Sequence, residues 1–260
     1  MTKCTPWHAI AKALEAEGVE YVFGLPGNPQ NLIEDLTDHT NIKFVLVRNE
    51  PWAVSCAYAY ARVSGKPGIV FTNPGPGITN LATGLLEATC GSVPVIAIAN
   101  GVVANQNGMG AFQELDSVAL MKPVTKWAVR AHDTTQMPWI MQRAFTQARN
   151  GRPGAVFIDV PSDTCSEPVE MASDVRPTLG RMRTRPEAAT VEAAAKLISQ
   201  AKRPVLICGS GAVSAGAFDQ VRELSRAATM PVFATPGGRG IMAETEDLFM
   251  GLTGLYFSES

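Results

Sequence analysis

Short runs of apolar residues alternate with amphipathic segments along this chain, and that alternation constrains the fold more than any other feature. Five runs are typical of β-strands: VEYVFGLPG, IKFVLVRNE, PGIVFTNPGPG, VPVIAIANG and AVFIDVP. Strands that are apolar on both faces suit a parallel sheet covered by helices on both sides. Helical patterns such as PWIMQRAFTQARNG lie between the runs. The sequence therefore predicts an α/β fold with a doubly wound, mainly parallel sheet.

The composition changes between residues 164 and 186, where polar residues and three prolines replace the apolar periodicity. We expect one domain over residues 1–163, a linker over 164–186 and a second α/β domain over 187–260. The second domain has only two clear strand runs, PVLICGSG and MPVFATP. Because two strands are too few for an independent sheet, we expect this second α/β domain to be incomplete.

Charge and composition exclude several classes of partner. The formal net charge is −2, from 22 Lys and Arg against 24 Asp and Glu, so no basic excess is present to bind nucleic acid. The sequence has neither the apolar length of a membrane-spanning helix nor a signal peptide, so no membrane partner is expected. The five cysteines follow no disulfide or zinc-binding spacing, which favours a cytoplasmic protein with reduced thiols. The three histidines stand far apart in sequence, which disfavours a metal site built from them.

One glycine-rich turn is a candidate phosphate site. The segment GSGAVSAG (residues 209–216) follows a strand and precedes a helix, a place where backbone amides can bind a phosphate. The third glycine of the G-x-G-x-x-G pattern is replaced by Ser214. Glycines are also common in such turns for steric reasons alone, so both interpretations stay open.

Glu50 has the most informative position of the carboxylates, because it ends an apolar strand run and begins a helical one. Ligands bind at the carboxyl ends of parallel strands, although a carboxylate there also interacts favourably with the helix dipole. Arg48 is the nearest candidate ion-pair partner. Two further strand-end turns carry polar groups, NPGPGITN (73–80) and GMGAFQELD (108–116). Since such turns meet at one edge of a sheet, together they indicate a binding site.

Taken in order, several segments resemble the acetolactate-synthase-like superfamily of thiamine-diphosphate-dependent enzymes. The segments are FGLPGNPQNLIEDL, VLVRNE, AYAYARVSGKPGIVFTNPGPGITNLATGL, SVPVIAIAN, GAFQELD, KPVTKW and GRPGAVFIDVPSD. The resemblance covers essentially the whole chain. The first domain resembles the pyrimidine-binding domain of the family, and the sequence from Glu187 resembles the start of the central domain.

The resemblance implies a catalytic role for Glu50, which matches the family's cofactor-activating glutamate. There the carboxyl group hydrogen-bonds a ring nitrogen of the aminopyrimidine and favours the imino tautomer, which then deprotonates the thiazolium carbon. Family members commonly carry His immediately before this glutamate, and Asn49 takes that place here. This departure leaves cofactor activation intact and affects the substrate side.

Further site residues are implied in the same way. Gln113 is expected to act in catalysis near the reactive end of the cofactor, and Asn28 and Phe112 are expected to lie near the substrate. The residues expected to bind the cofactor, besides Glu50, are Pro26, Gly27, Thr72, Asn73, Pro76 and Asn80.

The resemblance implies thiamine diphosphate and Mg²⁺ as cofactors, but the family's metal-binding motif is not in this sequence. In the family, Mg²⁺ holds the diphosphate through a GDG…N motif in a C-terminal domain, and no GDG occurs here. We therefore expect no metal ligands in this chain and a second chain carrying GDG…N as its partner in a hetero-oligomer. The initiating Met favours such a split enzyme over the N-terminal portion of a longer chain. FAD or ADP could bind the central domain, since some family members carry either.

The expected function is that of a lyase or transferase that makes or cleaves a carbon–carbon bond adjacent to a carbonyl. Carboligase, lyase and 2-oxo-acid decarboxylase activities all fit, with a 2-oxo acid, an aldehyde or a 2-hydroxyacyl compound as the small-molecule substrate. One alternative is a non-catalytic regulatory or scaffold chain that retains the fold. Another, based on GSGAVSAG alone, is an unrelated nucleotide-binding protein.

Overall fold

A six-stranded parallel sheet dominates the first part of the chain in this computed structural model. The structure describes residues 3–27, 31–163 and 167–254. The chain divides into two compact units, Met1–Met182 and Arg183–Ser260.

The first unit contains eight of the described strands and six of the described α-helices. The strands are β1 (Lys3–Cys4), β2 (Tyr21–Gly24), β3 (Lys43–Leu46), β4 (Gly68–Thr72), β5 (Val95–Gly101), β6 (Trp127–Arg130), β7 (Ala155–Pro161) and β8 (Val169–Glu170). The helices are α1 (Pro6–Ala16), α2 (Asn31–His39), α3 (Glu50–Ser64), α4 (Pro76–Cys90), α5 (Ser117–Met121) and α6 (Met137–Arg149). Among the described residues, no helix has the length and apolar character needed to cross a membrane.

The sheet has the order β3-β2-β4-β5-β7-β6, and every neighbouring pair is parallel. The predicted α/β class with a parallel sheet is therefore confirmed. Strand β6 was not predicted, because its four residues are only partly buried and lie at the sheet edge, where the apolar signal is weak. Strand β3 is shorter than the predicted run, since it ends at Leu46.

Each face of the sheet is covered by its own hydrophobic core. Side chains of β4 alternate between the two cores, as the period of a strand requires: Ile69 and Phe71 pack with α1, α2 and α6, while Val70 packs with α3, α4 and α5. Strands β4, β5 and β7 are buried along their whole length. This two-sided burial explains why their sequences are apolar throughout.

Part of the segment predicted as a linker is folded onto the first unit. Strand β8 pairs antiparallel with β1, and Met171 is buried. Farther along, the backbone N–H of Thr178 donates a hydrogen bond to the Glu17 carboxylate, which also forms an ion pair with Arg149. Residues 169–178 therefore belong structurally to the first unit.

The second unit is a small α/β structure. Its elements are α7 (Ala188–Gln200), β9 (Leu206–Cys208), α8 (Ser210–Ser214), α9 (Phe218–Ala228), β10 (Val232–Ala234) and β11 (Phe249–Leu252). Three parallel strands lie in the order β11-β10-β9, so the expectation of only two strands was wrong. Within the described residues α7 has no buried side chain, and Leu197 and Ile207 are exposed. The unit thus leaves apolar surface uncovered.

Two leucines of α4 offer a test of how the core between the sheet and helices α3, α4 and α5 is stabilised. Leu81 is fully buried and Leu86 is 45% exposed. Leu81→Ala should lower the free energy of unfolding by about 2–5 kcal/mol, because it leaves a cavity, whereas Leu86→Ala should change it by less than about 1 kcal/mol. Urea unfolding followed by tryptophan fluorescence measures this unit alone, because all four tryptophans lie in it. Equal effects of the two substitutions would contradict this packing.

Candidate functional site

The strand order of the sheet reverses between β2 and β4. From β2 the chain moves to β3 on one side, and then to β4 on the other. At such a switch point the loops after the two strands diverge and leave a crevice at the carboxyl edge, which is where ligands bind in open parallel sheets. The loop after β2 and the turn after β4 border this crevice, and the chain after β3 enters beside it.

Glu50 is the first residue of α3, and three residues separate it from the end of β3. Its side chain is partly buried, and its Oε2 accepts a hydrogen bond of 3.0 Å from Asn80 Nδ2 on α4. Arg48 is exposed and forms no ion pair with Glu50 among the described contacts. The carboxylate is therefore oriented by a neutral amide, and its second oxygen, Oε1, points toward the start of α4.

A glycine makes room beside this carboxylate. A methyl group added at Gly77 would lie 2.6 Å from Thr72 Oγ1 and 3.4 Å from Glu50 Oε1. Thr72 is fully buried, and its hydroxyl has no hydrogen-bond partner among the described residues. A buried hydroxyl without a partner is costly, so a ligand that supplies the partner would be stabilised here. Gly77 was not predicted as a site residue, although its position in the NPGPG turn after a strand could have indicated a close contact there.

The loops after β2 and β4 are joined across the switch point. Asn73 Nδ2 donates a hydrogen bond of 3.3 Å to the Pro26 carbonyl. A methyl group at Gly27 would lie 1.9 Å from Asn73 Oδ1, so only glycine permits this approach. The Oδ1 atom is buried and lacks a partner within the described structure. Pro26, Gly27 and Asn73 thus form one wall of the crevice.

The loop of residues 108–116 reaches the same place through Gln113. Gln113 has a φ of +63°, a left-handed conformation that costs a side-chain-bearing residue about 1–2 kcal/mol. Its backbone packs against Gly75, where a methyl group would lie 2.8 Å from Gln113 Cβ. Gly75 itself has a φ of +59°. The structure therefore brings the turn before α4 and this loop together, as expected from parallel strand ends.

Glu114 holds the same loop in shape. Its carboxylate accepts hydrogen bonds from the backbone amides of Gly108, Gly110 and Ala111, the last two at 2.7 and 2.9 Å. These bonds, with that of Gly108 contributing most, hold the pKa of Glu114 below its usual value. No separate role was predicted for Glu114 within this polar loop. In the structure its carboxylate binds the backbone amides of the turn that precedes Gln113.

A buried ionic cluster lies under this loop and was missed. Asp159 of β7 is 1% exposed; it forms an ion pair of 3.0 Å with Arg130 and accepts a hydrogen bond from Ser117. Burial raises the pKa of Asp159, and the contacts with Ser117 and Arg130 offset part of this effect. Arg130 also donates to the Val102 carbonyl at 2.8 Å. The signal in the sequence was one acidic residue within an otherwise apolar strand.

The remaining predicted residues fall into three groups. Pro76 is exposed at the start of α4, and Phe112 is 87% exposed beside Gln113. Asn28 lies outside the described residues. The GSGAVSAG segment folds as the five-residue helix α8 in the second unit.

Large apolar side chains are exposed near these loops. Trp52, in the first turn of α3, is 66% exposed, and Leu46, the last residue of β3, is 64% exposed. Met109 and Phe112, on the loop of residues 108–116, are more exposed still. We call the edge bearing Glu50, Asn80 and Gln113 the rim. Isolated apolar side chains on a surface are ordinary, but a group of them marks a surface suited to contact with another protein segment.

Two protein-family models match the chain. Residues 5–120 match the model described as thiamine pyrophosphate enzyme, N-terminal TPP binding domain. Residues 191–260 match the model described as thiamine pyrophosphate enzyme, central domain. The two matches follow the order of the two units.

Curated relatives give the same result. The chain is 36% identical over 255 residues to a probable acetolactate synthase large subunit of Methanococcus aeolicus, covering 95% of this chain and 42% of the relative. It is 35% identical over 259 residues to an acetolactate synthase of Mycobacterium bovis, covering 98% and 42%. It is also 35% identical over 268 residues to an acetolactate synthase large subunit of Haemophilus influenzae, covering 98% and 46%. The chain thus spans less than half the length of these relatives.

The lowered pKa of Glu114 generates a pH-dependent prediction. A carboxyl group with a depressed folded-state pKa contributes stability above its unfolded-state pKa, about 4.3 for glutamate, and loses it as the pH falls through the folded-state value. Wild type should therefore be more stable than Glu114→Gln at neutral pH, and this difference should shrink below about pH 4.3. Urea unfolding of both proteins between neutral and acidic pH measures the difference. A difference that is constant across the pH range would contradict the role of Glu114.

Proposed function

Because the chain belongs to the thiamine pyrophosphate enzymes and is similar to acetolactate synthases, we propose that it supplies the cofactor-activating half of a carbon–carbon carboligase. The observation that carries the proposal is the Glu50 carboxylate, which accepts a hydrogen bond from Asn80 at the rim and lies beside Gly77 and the unpartnered Thr72 hydroxyl. This is the arrangement that a carboxylate needs to meet a ring nitrogen of a flat cofactor.

The crevice fits the pyrimidine end of thiamine diphosphate by three features of its own. Thr72 Oγ1 and Asn73 Oδ1 are buried polar atoms that lack partners among the described residues, and an aminopyrimidine offers both donors and acceptors. Gly77 lets Thr72 Oγ1 and Glu50 Oε1 lie on either side of the turn before α4, because a methyl group there would be 2.6 Å from the hydroxyl. Strand β4, which ends in Thr72 at the crevice, is buried along its whole length and gives the site a firm apolar base.

Each residue of the crevice has a distinct task in this proposal. Glu50 would hold a proton for the cofactor's ring nitrogen, and Asn80, which donates to Glu50 Oε2, would keep the carboxylate in place. Thr72 and Asn73 orient the ring by hydrogen bonds, with Pro26, Gly27 and Pro76 as the surrounding backbone. When bound, the cofactor supplies the nucleophilic carbon through its thiazolium ring, and the protein supplies orientation and a dry environment.

Gln113 and Phe112 are proposed to lie on the substrate side. The left-handed conformation of Gln113 is maintained by Gly75 and by the turn that Glu114 closes. Such strain persists where the surrounding structure enforces it, and it is concentrated at functional sites. From the names of the relatives we propose a 2-oxo acid as the substrate class; an aldehyde or a 2-hydroxyacyl compound would point to lyase chemistry instead.

The diphosphate and its Mg²⁺ are proposed to be held by residues outside this chain. No GDG occurs in the sequence, and a diphosphate leaves water only with a metal or a set of oriented donors. The exposed Trp52, Leu46 and Phe112 support docking of a diphosphate-binding domain against the rim. Some relatives are named large subunits, and this supports a hetero-oligomer. We propose the cytoplasm as its location, since the described cysteines are free thiols.

The first test of the function replaces the activating carboxylate. In the assembly that contains the diphosphate-binding domain, Glu50→Gln should lower kcat by about 10²–10⁴-fold, the range of general acid–base catalysis. The unfolding curve should be unchanged, because the amide still accepts a hydrogen bond from Asn80. Glu87→Gln, an exposed site on α4, is the control and should keep full activity. A near-wild-type rate for Glu50→Gln would favour a non-catalytic scaffold chain.

The second test measures cofactor binding by the chain alone. Calorimetric titration with thiamine diphosphate and Mg²⁺ should show weak binding to the purified chain and tight, Mg²⁺-dependent binding once the diphosphate-binding domain is added. The reason is that most of the cofactor's charge is on the diphosphate, and the described residues assigned here to the crevice (Pro26, Gly27, Glu50, Thr72, Asn73, Pro76, Gly77 and Asn80) include no cation. Tight Mg²⁺-dependent binding by the chain alone would place the diphosphate site within it and refute the division proposed above.

A further inference from the structure

The fold brings His8 together with Asp35 and His39, which lie 27 and 31 residues later in the sequence. His8 lies in the first turn of α1, while Asp35 and His39 lie one turn apart on α2. His8 Nδ1 is 3.0 Å from Asp35 Oδ1, and His39 Nε2 is 3.9 Å from the same oxygen. All three donor atoms lie within 4.8 Å of one another. None of these residues belongs to the crevice.

We propose that His8, Asp35 and His39 bind one divalent transition-metal ion, with Zn²⁺ as the ion used by the cell. Imidazole nitrogen and carboxylate oxygen are both zinc ligands, each about 2.0–2.2 Å from the ion. Two such ligands of a tetrahedral ion are therefore about 3.3–3.6 Å apart, between the two distances measured to Asp35. The imidazoles disfavour Mg²⁺ and Ca²⁺, which take oxygen ligands.

The exposure of the three side chains suits reversible binding. Asp35 is 15% exposed, His8 29% and His39 53%. The Asp35 carboxylate is thus mostly buried, while the exposed His39 ring has room to rotate toward an ion bound by the other two side chains. Exposure on one side leaves a fourth coordination position for water. The rings of His8 and His39 are nearly perpendicular, with centroids 5.0 Å apart, so they do not stack against each other.

The charges around the cluster permit a cation. An ammonium group lies nearby, since Lys12 donates to the His39 carbonyl at 3.1 Å. Glu15 forms an ion pair with the same ammonium at 3.0 Å and neutralises it. Asp35 therefore supplies the net negative charge at the cluster.

The consequence of binding would be a metal crosslink between α1 and α2. Both helices cover the same face of the sheet and share one hydrophobic core. An ion that binds only when the helices are in contact stabilises the folded state by mass action. The site would thus be structural, and it is independent of the proposed catalytic function.

The test is a titration of the untagged 260-residue chain with ZnCl₂, followed by calorimetry and by thermal unfolding. One Zn²⁺ per chain should bind and raise Tm, whereas MgCl₂ should do neither. His39→Gln should weaken Zn²⁺ binding by more than about 100-fold, above the 10–100-fold that outer-shell changes cause. Because His39 is half exposed, this variant should fold normally. Asp35→Asn should have the same effect on the zinc-dependent change in Tm.

Three matched controls make the result specific. Asp38→Asn, an exposed carboxylate of the same helix, and His132→Gln, a histidine outside the cluster, should bind Zn²⁺ as wild type does. Cys90→Ser removes an exposed thiol and should also leave binding unchanged. No binding by wild type, unchanged affinity in His39→Gln, or loss of binding in Cys90→Ser would each overturn the proposal.

Discussion

Close approach of neighbouring groups to three glycines is the constraint on which the rest of the site depends. Gly27, Gly75 and Gly77 each face a neighbour at a distance that excludes a side chain, 1.9, 2.8 and 2.6 Å respectively from an added methyl group. Their contacts join the loop after β2, the turn before α4 and the loop carrying Gln113. Without these approaches the Glu50 carboxylate and the Thr72 hydroxyl would be separated by side chains. The shape of the crevice therefore depends on the absence of side chains at these glycines as much as on its functional groups.

Polar groups in a largely apolar sheet then give this crevice its chemistry. Burying Asp159 costs free energy, which Arg130 and Ser117 offset by direct contacts. Glu114 similarly uses three backbone amides to fix the turn before Gln113. Thr72 differs, because its buried hydroxyl has no partner in the described part of the chain. The contacts of Asp159 Oδ2 and of Glu114 thus fix the loops, whereas Thr72 Oγ1 and Asn73 Oδ1 at the crevice have no partner among the described residues.

The parts of this structure that could be predicted from sequence are those governed by local pattern. Strands such as β5 and β7 are apolar throughout because both faces are buried, and Glu50 was recognisable because it follows such a run. Strand β6 was missed because an edge strand is only partly buried and its pattern is weak. The left-handed Gln113 and the His8–Asp35–His39 cluster could not be predicted, since each depends on contacts between residues distant in sequence.

The proposed division of the active site follows from the different needs of the two ends of the cofactor. A neutral aromatic ring requires shape, a few hydrogen bonds and a carboxylate, and strand-end loops supply these without a metal. A diphosphate requires neutralisation of several charges, which this chain, with a net charge of −2, is poorly suited to provide. Under this proposal the glutamate can activate the cofactor only when another domain has bound the charged end. Docking against the rim would also remove Trp52 and Phe112 from water and exclude water from the reacting carbon. Assembly and catalytic activity would then be coupled, because the contact that completes the cofactor-binding site would also exclude water from it.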